Sequence, residues 1–495
     1  MSRILMRSGK SPLIPLTPEA SLAAARYASF GTNSGNLLFS NSVARAISVP
    51  GTEVISDSFR SERAPDYAAL AARINNEFDG FVIPLANAFR RDFVPFMNRL
   101  TDLISRLTIP VTVVGVGAQL TVDGDHFANS GDVDEATKRF VGTVLDRSAT
   151  VGVRGELTLE YLKSLGFNDG KVDVIGCPST YDLGRDFTIE KPEITLDRDS
   201  RVAFNTSRAA RGAGAFIRKV ASEFPRSEFV GQQQDELSTL LWGTSVPSND
   251  PNLITSIDHP LIREDRVRFF VDPITWTQYL GEMDFSFGAR IHGNVAAIMG
   301  GTPAYVLGWD SRTLELADYH GIPHRLVRDL STVESAAEIY ENLDYSEFNR
   351  KMPENFDRYT SFLEKNEIAH IYQPGNSNPE FDDQMASLNY PGPVHGPFSE
   401  RSTEQIYDRL RWLRQGADAE DKRRNQGYTV PFMPPPAKKL APAPNPDLEA
   451  QKRATTALQK ELKSLRSQVQ VLQEKPSLSR RILNRVKRIF RTGTN

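Results

Sequence analysis

The chain has 495 residues, enough for two or three domains that each bury a core. Its 39% hydrophobic and 24% charged residues describe a soluble globular protein, and a formal net charge of -3 excludes an overall attraction to nucleic acid. The single cysteine, Cys177, excludes an intramolecular disulfide framework and a cysteine-based zinc knuckle. With neither a sustained apolar leader at the N-terminus nor a run of about 18 apolar residues, the expected location is the cytoplasm.

From Phe81 to about Leu326, short apolar β-rich runs alternate with longer helix-like segments. The predicted strands are 81–85, 110–117, 150–153, 172–176, 201–205, 269–272, 285–288 and 303–308. Most are apolar on both faces, as in parallel sheets covered by helices on each side. The rhythm predicts an α/β fold of two doubly wound, Rossmann-like domains, 1–198 and 199–366, with the charged, irregular stretch Asp182–Asp199 as linker. An irregular or helical extension is expected over 367–428.

Residues 429–446 hold seven prolines, which lack the amide donor and fix φ, so this stretch reads as a spacer. Over 447–475, Leu458, Leu462, Leu465, Val469 and Leu472 recur at spacings of 4, 3, 4 and 3, the heptad pattern of a short coiled coil that would join copies of the chain. A solitary or docked helix is the alternative. Residues 476–495 carry six basic and no acidic side chains on an amphipathic pattern, suited to an anionic membrane surface, with a solvated tail or a helix docked on another subunit as the plainer alternative.

The segment Phe285–Pro303, FSFGARIHGNVAAIMGGTP, carries the most chemistry. Extended from the FSFG strand, Arg290 and His292 would share a face. A helix starting near Gly293 would add free amides and a positive dipole end. A planar guanidinium, those amides and a ring that exchanges protons near neutral pH read as an anion site with an acid/base. An ion-paired Arg290 and a core His292 are the plainer alternative. Arg154 likewise follows an apolar strand, with Glu156 placed to orient its guanidinium or to start the next helix. The turns Gly115–Gln119 and Asn33–Asn36 bring backbone amides toward a ligand or are simply tight. Neither fits a dinucleotide or P-loop pattern, no metal-ligand spacing stands out, and Cys177 shows no basic neighbour in sequence.

Together these pieces resemble the polysaccharide pyruvyl transferase family over roughly Asn33 to Leu363. The resemblance rests on the Arg-x-His-Gly segment at 290–293 followed by DSRTLEL at 310–316, supported by NSGN (33–36), GVGAQ (115–119), VRGELT (153–158) and VIGCPS (174–179). It implies a fold like that of the GT-B glycosyltransferases and transfer of the enolpyruvyl unit of phosphoenolpyruvate to a saccharide, giving a pyruvate ketal and phosphate. On this resemblance His292 is the general acid, and Arg154 and Arg290 hold the donor's anions. Asn36, Gly117, Gln119, Gly293, Asn294, Asp310, Ser311 and Arg312 contact substrate. No cofactor or metal is implied. The acceptor would be a saccharide, lipid-linked where the enzyme lies peripherally at the inner face of the cell membrane. The sequence departs from the pattern at Gly155, where relatives often have an acidic residue, and at Cys177, where many have Asp. The competing readings are a GT-B-like glycosyltransferase using a nucleotide sugar and a non-catalytic saccharide-binding or assembly protein.

Overall fold

The computed structural model describes residues 2–23, 29–119, 131–168, 170–399, 402–426 and, within 454–467, all but 458, 462 and 465. The proline-rich spacer, the heptad positions and the basic segment 476–495 lie outside the described residues. The chain divides into two compact units, 1–436 and 437–495. In the second, the described residues between 454 and 467 are helical.

In the first unit, β1 (Ser2–Met6), β2 (Thr52–Ser56), β3 (Gly80–Pro84) and β4 (Val111–Val114) form a parallel sheet in the order β2-β1-β3-β4. β5 (Val151–Val153) and β6 (Val172–Val174) pair in parallel, and a parallel bridge between Val116 and Val153 joins them to the first sheet. A second sheet contains β7 (Val202–Asn205), β8 (Glu228–Gly231), β9 (Val267–Phe269), β10 (Phe285–Gly288), β11 (Ala304–Gly308) and β12 (His324–Leu326). Its order, β9-β8-β7-β10-β11-β12, is all parallel, and counted from its own first strand it reads 3-2-1-4-5-6. The order reverses between β7 and β10 in the second sheet and between β1 and β3 in the first. Loops leaving strand carboxyl ends at such reversals are where open α/β sheets bind ligands.

The expected parallel α/β character is present, and each predicted strand overlaps an observed one. β1, β2, β8 and β12 were not expected. β2 (TEVIS) and β12 (HRL) carry polar residues along partly exposed strands, which weakens the apolar-run signal. β1 sits where a reader of sequence looks for a leader, and β8 (EFVG) is four residues long.

The segment after Asp182 runs without strand or helix to β7. The cores nevertheless cross it. The helix Gly35–Ile47 contributes Leu37, Leu38, Phe39 and Val43 to the cluster that contains Phe204, Val295 and Ile298 of the second sheet and its helices. In return the helix Ser346–Lys365 reaches the first sheet, where Phe362 packs so close to Gly152 that a Cβ there would lie 2.9 Å from its ring. Asn366 then bonds Thr150, Nδ2 to Oγ1 at 3.0 Å. The extension also packs: Val394 pairs with Phe269, and Trp412 of the helix Thr403–Gln426 stacks on Trp242 at 4.9 Å.

Lys10, just past the end of β1, forms a buried ion pair with Asp272, which caps the helix Pro273–Leu280 by accepting from Ile274 N at 3.0 Å. Both side chains are almost wholly excluded from water. Removing one partner leaves the other charged group uncompensated, at about 3–5 kcal/mol. Lys10→Met is therefore expected to lower the melting temperature and urea midpoint markedly. An unchanged midpoint would show that the pair does not hold the β1 loop to the second sheet's helices.

Candidate active site

A cavity of about 520 Å³ lies at the carboxyl ends of both sheets. Arg7, Ser8 and Gly9 enter it after β1, Asn87 and Arg90 after β3, and Arg154 after β5. Gln232 and Gln233 come after β8, Ala289 to His292 after β10, and Asp310, Arg312 and Thr313 after β11. Its walls thus include the loops at both strand-order reversals.

Arg290 and His292 both line it, although their local structure differs from the expectation. The helix begins at Ile291 rather than near Gly293, so Arg290 is its extended N-cap and His292 lies in the first turn. Two asparagines force the early start. Asn205 Oδ1 accepts from Arg290 N at 2.7 Å, and Asn294 Nδ2 donates to Gly288 O at 3.0 Å, which together close the chain into a turn directly after β10. Arg290 Nε donates to Thr206 O at 3.3 Å, and with the Gln233 amide oxygen turned toward it both Nη atoms donate there at 2.8 Å. Burial lowers the pKa of this guanidinium, partly offset by Glu236.

His292 packs on the first residue of the helix Gly35–Ile47, where a Cβ on Gly35 would lie 2.7 Å from the histidine Cβ. Burial, then the positive charge of Arg154, pushes its pKa down to about 3. The ring is therefore neutral at physiological pH in the free protein.

Arg154 is 5% exposed, and its Nε has no hydrogen-bond partner among the described residues. Burial lowers its pKa, and Glu315 opposes that shift most. Glu315, not Glu156, is thus the carboxylate associated with this guanidinium. Glu156 is exposed, while Glu315 reaches over from the helix Ser311–His320 to accept from Thr158 N (2.7 Å) and Thr158 Oγ1 (3.1 Å). Gly155 makes room for it, since a Cβ there would lie 2.4 Å from Glu315 Cγ. Cys177, without a basic neighbour in sequence, lies 3.7 Å from His292 Nε2 through Sγ.

Asn36, Asp310 and Arg312 also line the cavity. Asp310 caps its helix through Thr313 N at 2.9 Å and pairs with Arg312. Burial alone would raise its pKa, and Arg312 together with the Thr313 bonds outweighs that and lowers it. The other predicted contacts stand behind the wall. Asn294 is buried and bonded as above, Ser311 is buried in the first turn of its helix, and Gln119 is exposed away from the cavity. Gly117 and Gly293 act by having no side chain: a Cβ would lie 2.5 Å from Arg154 Nε and 2.5 Å from Gln232 Nε2, respectively.

Sequence reasoning did not single out Arg90, Gln232 or Asn87. The Arg90 Nε and Gln232 Nε2 atoms are buried with no partner among the described residues. With its oxygen turned inward, Asn87 accepts from Arg90 Nη1 at 2.9 Å and Arg312 Nη1 at 2.7 Å. These residues lie in loops whose chemistry becomes visible only when strand ends converge. A second missed feature is an aromatic wall of Phe59, Phe93 and Phe96. Arg7 lies over the Phe59 ring at 5.0 Å and is paired with Glu62 at 2.9 Å. Phe59 and Ser58 have left-handed φ of 55° and 49°, held because Asp57 accepts from Phe59 N (2.8 Å) and Ser8 N (3.0 Å).

Among the described residues lining the cavity are six arginines and three carboxylates, so the site carries surplus positive charge. It can hold a ligand with more than one anionic group and present a neutral imidazole to it.

The family model for polysaccharide pyruvyl transferase matches residues 33–311, more than half of the chain. No curated protein matches it in sequence. Among solved structures, S. aureus MnaA with UDP is 11% identical over 79% of this chain and 99% of its own, with a TM-score of 0.39. The UDP-GlcNAc 2-epimerase of Methanocaldococcus jannaschii with UDP-GlcNAc and UDP is 13% identical over 73% and 99%, with a TM-score of 0.39. Anabaena Alr3699/HepE with UDP and glucose is 12% identical over 78% and 100%, with a TM-score of 0.36.

Two outcomes follow from this geometry. Gly117→Ala is expected to displace Arg154 and weaken binding of inorganic phosphate by about tenfold or more while the fold is kept, measured by calorimetry; unchanged affinity would remove Arg154 from the anion site. His292 and His320 are both held down to about 3 from 6.5. Between those values the unfolded chain binds the protons and the native chain does not, so stability falls as pH drops from 6.5 toward 3. The slope is at most about 1.4 kcal/mol per pH unit for each ring. Denaturant titrations should show a shallower acid loss in His292→Asn and in His320→Asn, and an identical slope in either variant would contradict the neutral ring.

Proposed function

The chain belongs to the polysaccharide pyruvyl transferase family, and from that premise we propose that it transfers the enolpyruvyl group of phosphoenolpyruvate to two hydroxyls of a saccharide, forming a pyruvate ketal and releasing phosphate. One observation carries the reading: the buried Nε atoms of Arg154 and Arg90 have no partner among the described residues, at a cavity whose wall includes a helix N-terminus and His292. A donor with a carboxylate and a phosphate supplies the acceptors that those groups need. The two sheets are taken to form the two halves of a GT-B-like arrangement, with the acceptor against the aromatic wall of Phe59, Phe93 and Phe96. Oligomerisation through 447–475 and contact with an anionic membrane through 476–495 are proposed from sequence pattern alone.

The chemistry assigns His292 a proton to carry. In the free protein it is neutral, because burial and Arg154 disfavour the imidazolium. Donor anions placed beside Arg154 offset that charge and raise the ring's pKa, so the ring takes up a proton as the donor binds. The imidazolium then protonates the methylene carbon, and cationic character develops at the central carbon. A sugar hydroxyl attacks that carbon and returns its proton to the ring. Departure of phosphate regenerates the cation, and the second hydroxyl closes the ketal, its proton leaving with the phosphate. Arg154, Arg90, Arg290 and Arg312 hold the carboxylate and phosphate throughout, from positions already fixed before the donor arrives.

The linkage has a definite sign. Because the donor-bound ring has the higher pKa, affinity for phosphoenolpyruvate falls as pH rises through that bound-state value. Calorimetry between pH 5 and 6 in buffers of different ionisation enthalpy is expected to show uptake of up to about one proton on binding beyond that seen in His292→Asn. His292→Asn should lower turnover by about 10²- to 10⁴-fold, followed by phosphate release and by mass spectrometry of the acid-labile adduct. Phosphoenolpyruvate should raise the melting temperature where a nucleotide sugar does not. Stabilisation by the nucleotide sugar alone, with no phosphate released across a broad panel of saccharides, would replace pyruvyl transfer with glycosyl transfer.

A further inference from the structure

We propose that Cys177 is the positioning residue for His292, its sulfur accepting the imidazole Nε2–H so that the ring is held as one tautomer and Nδ1 is left for proton exchange. Cys177 is 3% exposed and does not itself line the cavity. Its Sγ is 3.7 Å from His292 Nε2 and 3.3 Å from Ser179 Oγ, to which the thiol donates. With its S–H directed at Ser179 Oγ, the sulfur faces the ring with lone pairs, an arrangement in which Nε2 is the donor. The thiol is itself fixed: Cys177 N donates to His320 Nε2 at 2.9 Å, and Thr180 Oγ1 donates to Cys177 O at 2.8 Å. Because Gly35 has no side chain, the space beside His292 Nδ1 stays open, where a Cβ would lie 2.8 Å from that nitrogen.

The charged and titratable groups facing this pair include Arg154, from the loop after β5, Asp182, which acts on Cys177 from the start of the linker, and His320, Tyr181 and Tyr359 on the Cys177 side. Arg154 disfavours the imidazolium, and burial keeps the thiol protonated by raising its pKa. A neutral acceptor at this point orients the ring without stabilising its charge. A carboxylate here would keep the proton on the ring before any donor arrived, and would retard its release afterwards. The inference deepens the reading of His292 as the proton carrier and rests on it for its catalytic meaning. The tautomer itself is measurable without that reading.

The test uses full-length protein labelled with ¹⁵N-histidine, with His292 assigned by its loss in His292→Asn. Imidazole ¹⁵N shifts between pH 5 and 8 should report the neutral Nε2–H form. Cys177→Ser, which keeps an acceptor, should retain that form, and Cys177→Ala should lose the preference. Cys177→Asp should raise the His292 pKa by about 1–3 units. In phosphate-release assays Cys177→Asp should move the pH profile and lower kcat with little change in KM for phosphoenolpyruvate, a split that general destabilisation would not give. The proposal is overturned by an Nδ1–H tautomer in the parent protein, or by a Cys177→Ala spectrum and titration identical to the parent's. If alanine or aspartate prevents folding, the parent and serine spectra decide. The predicted tautomer pattern in protein that releases no phosphate supports the positioning role and sinks pyruvyl transfer instead.

Discussion

Burying guanidinium groups in a cavity with too few carboxylates is the constraint on which the rest of the site depends. A charged group loses hydration when buried and must be repaid by hydrogen bonds or opposite charge. Arg154 and Arg90 each keep a buried Nε without a partner among the described residues, while Asn87, Gln233 and Thr206 satisfy other parts of the cluster through neutral oxygens. Neutral acceptors hold guanidinium groups in place and leave their charge available. Asp310 and Glu315 stand near enough to be felt, but each is also committed to the start of a helix. The protein thus orients positive charge while leaving much of it uncancelled, the condition for anion binding with little reorganisation.

Burial first, and this surplus through Arg154 second, set the state of His292. A histidine beside a buried arginine is a poor base in the free protein and becomes a better one when an anion arrives. On the proposed function its proton occupancy would be coupled to the ligand through Arg154, making the anion site and the acid/base one device. Cys177 fits this coupling because a thiol gives direction without charge, and Gly35 fits it because any side chain there would push the ring away.

Much of the second sheet was legible because its strands are apolar on both faces and each is followed by a helix pattern. β7, β10 and β11 carry that signal most strongly. Arg290, His292 and Arg154 were legible because they sit one to four residues past such strands. The helix start was misread because Asn205, which caps the Arg290 amide, lies 85 positions away. The same distance effect hid the partner of Arg154: Glu156 is adjacent in sequence, yet Glu315 supplies the charge. Cys177 and His292, 115 residues apart, could not be paired by spacing at all. Glycines were noticed as flexible turns, whereas Gly35, Gly117 and Gly155 matter here because a neighbouring side chain occupies the space of a Cβ.

These long-range ties all join the half built on the first sheet to the half built on the second. Glu315 reaches from the second half to the helix after β5, Lys10 from the β1 loop to Asp272, and Asn33 pairs with Gln233 beside Arg290. Each joins segments near the cavity that are more than 150 residues apart in the chain. A site assembled from single-residue contributions of several strand ends needs such ties, because a displacement of about 1 Å between reacting groups is enough to lose much of their effect. The exchange of the helices Gly35–Ile47 and Ser346–Lys365 between the two sheets serves the same end. It replaces a simple two-domain cleft by walls that share a core, and so lets buried, partly unpaired arginines hold their positions.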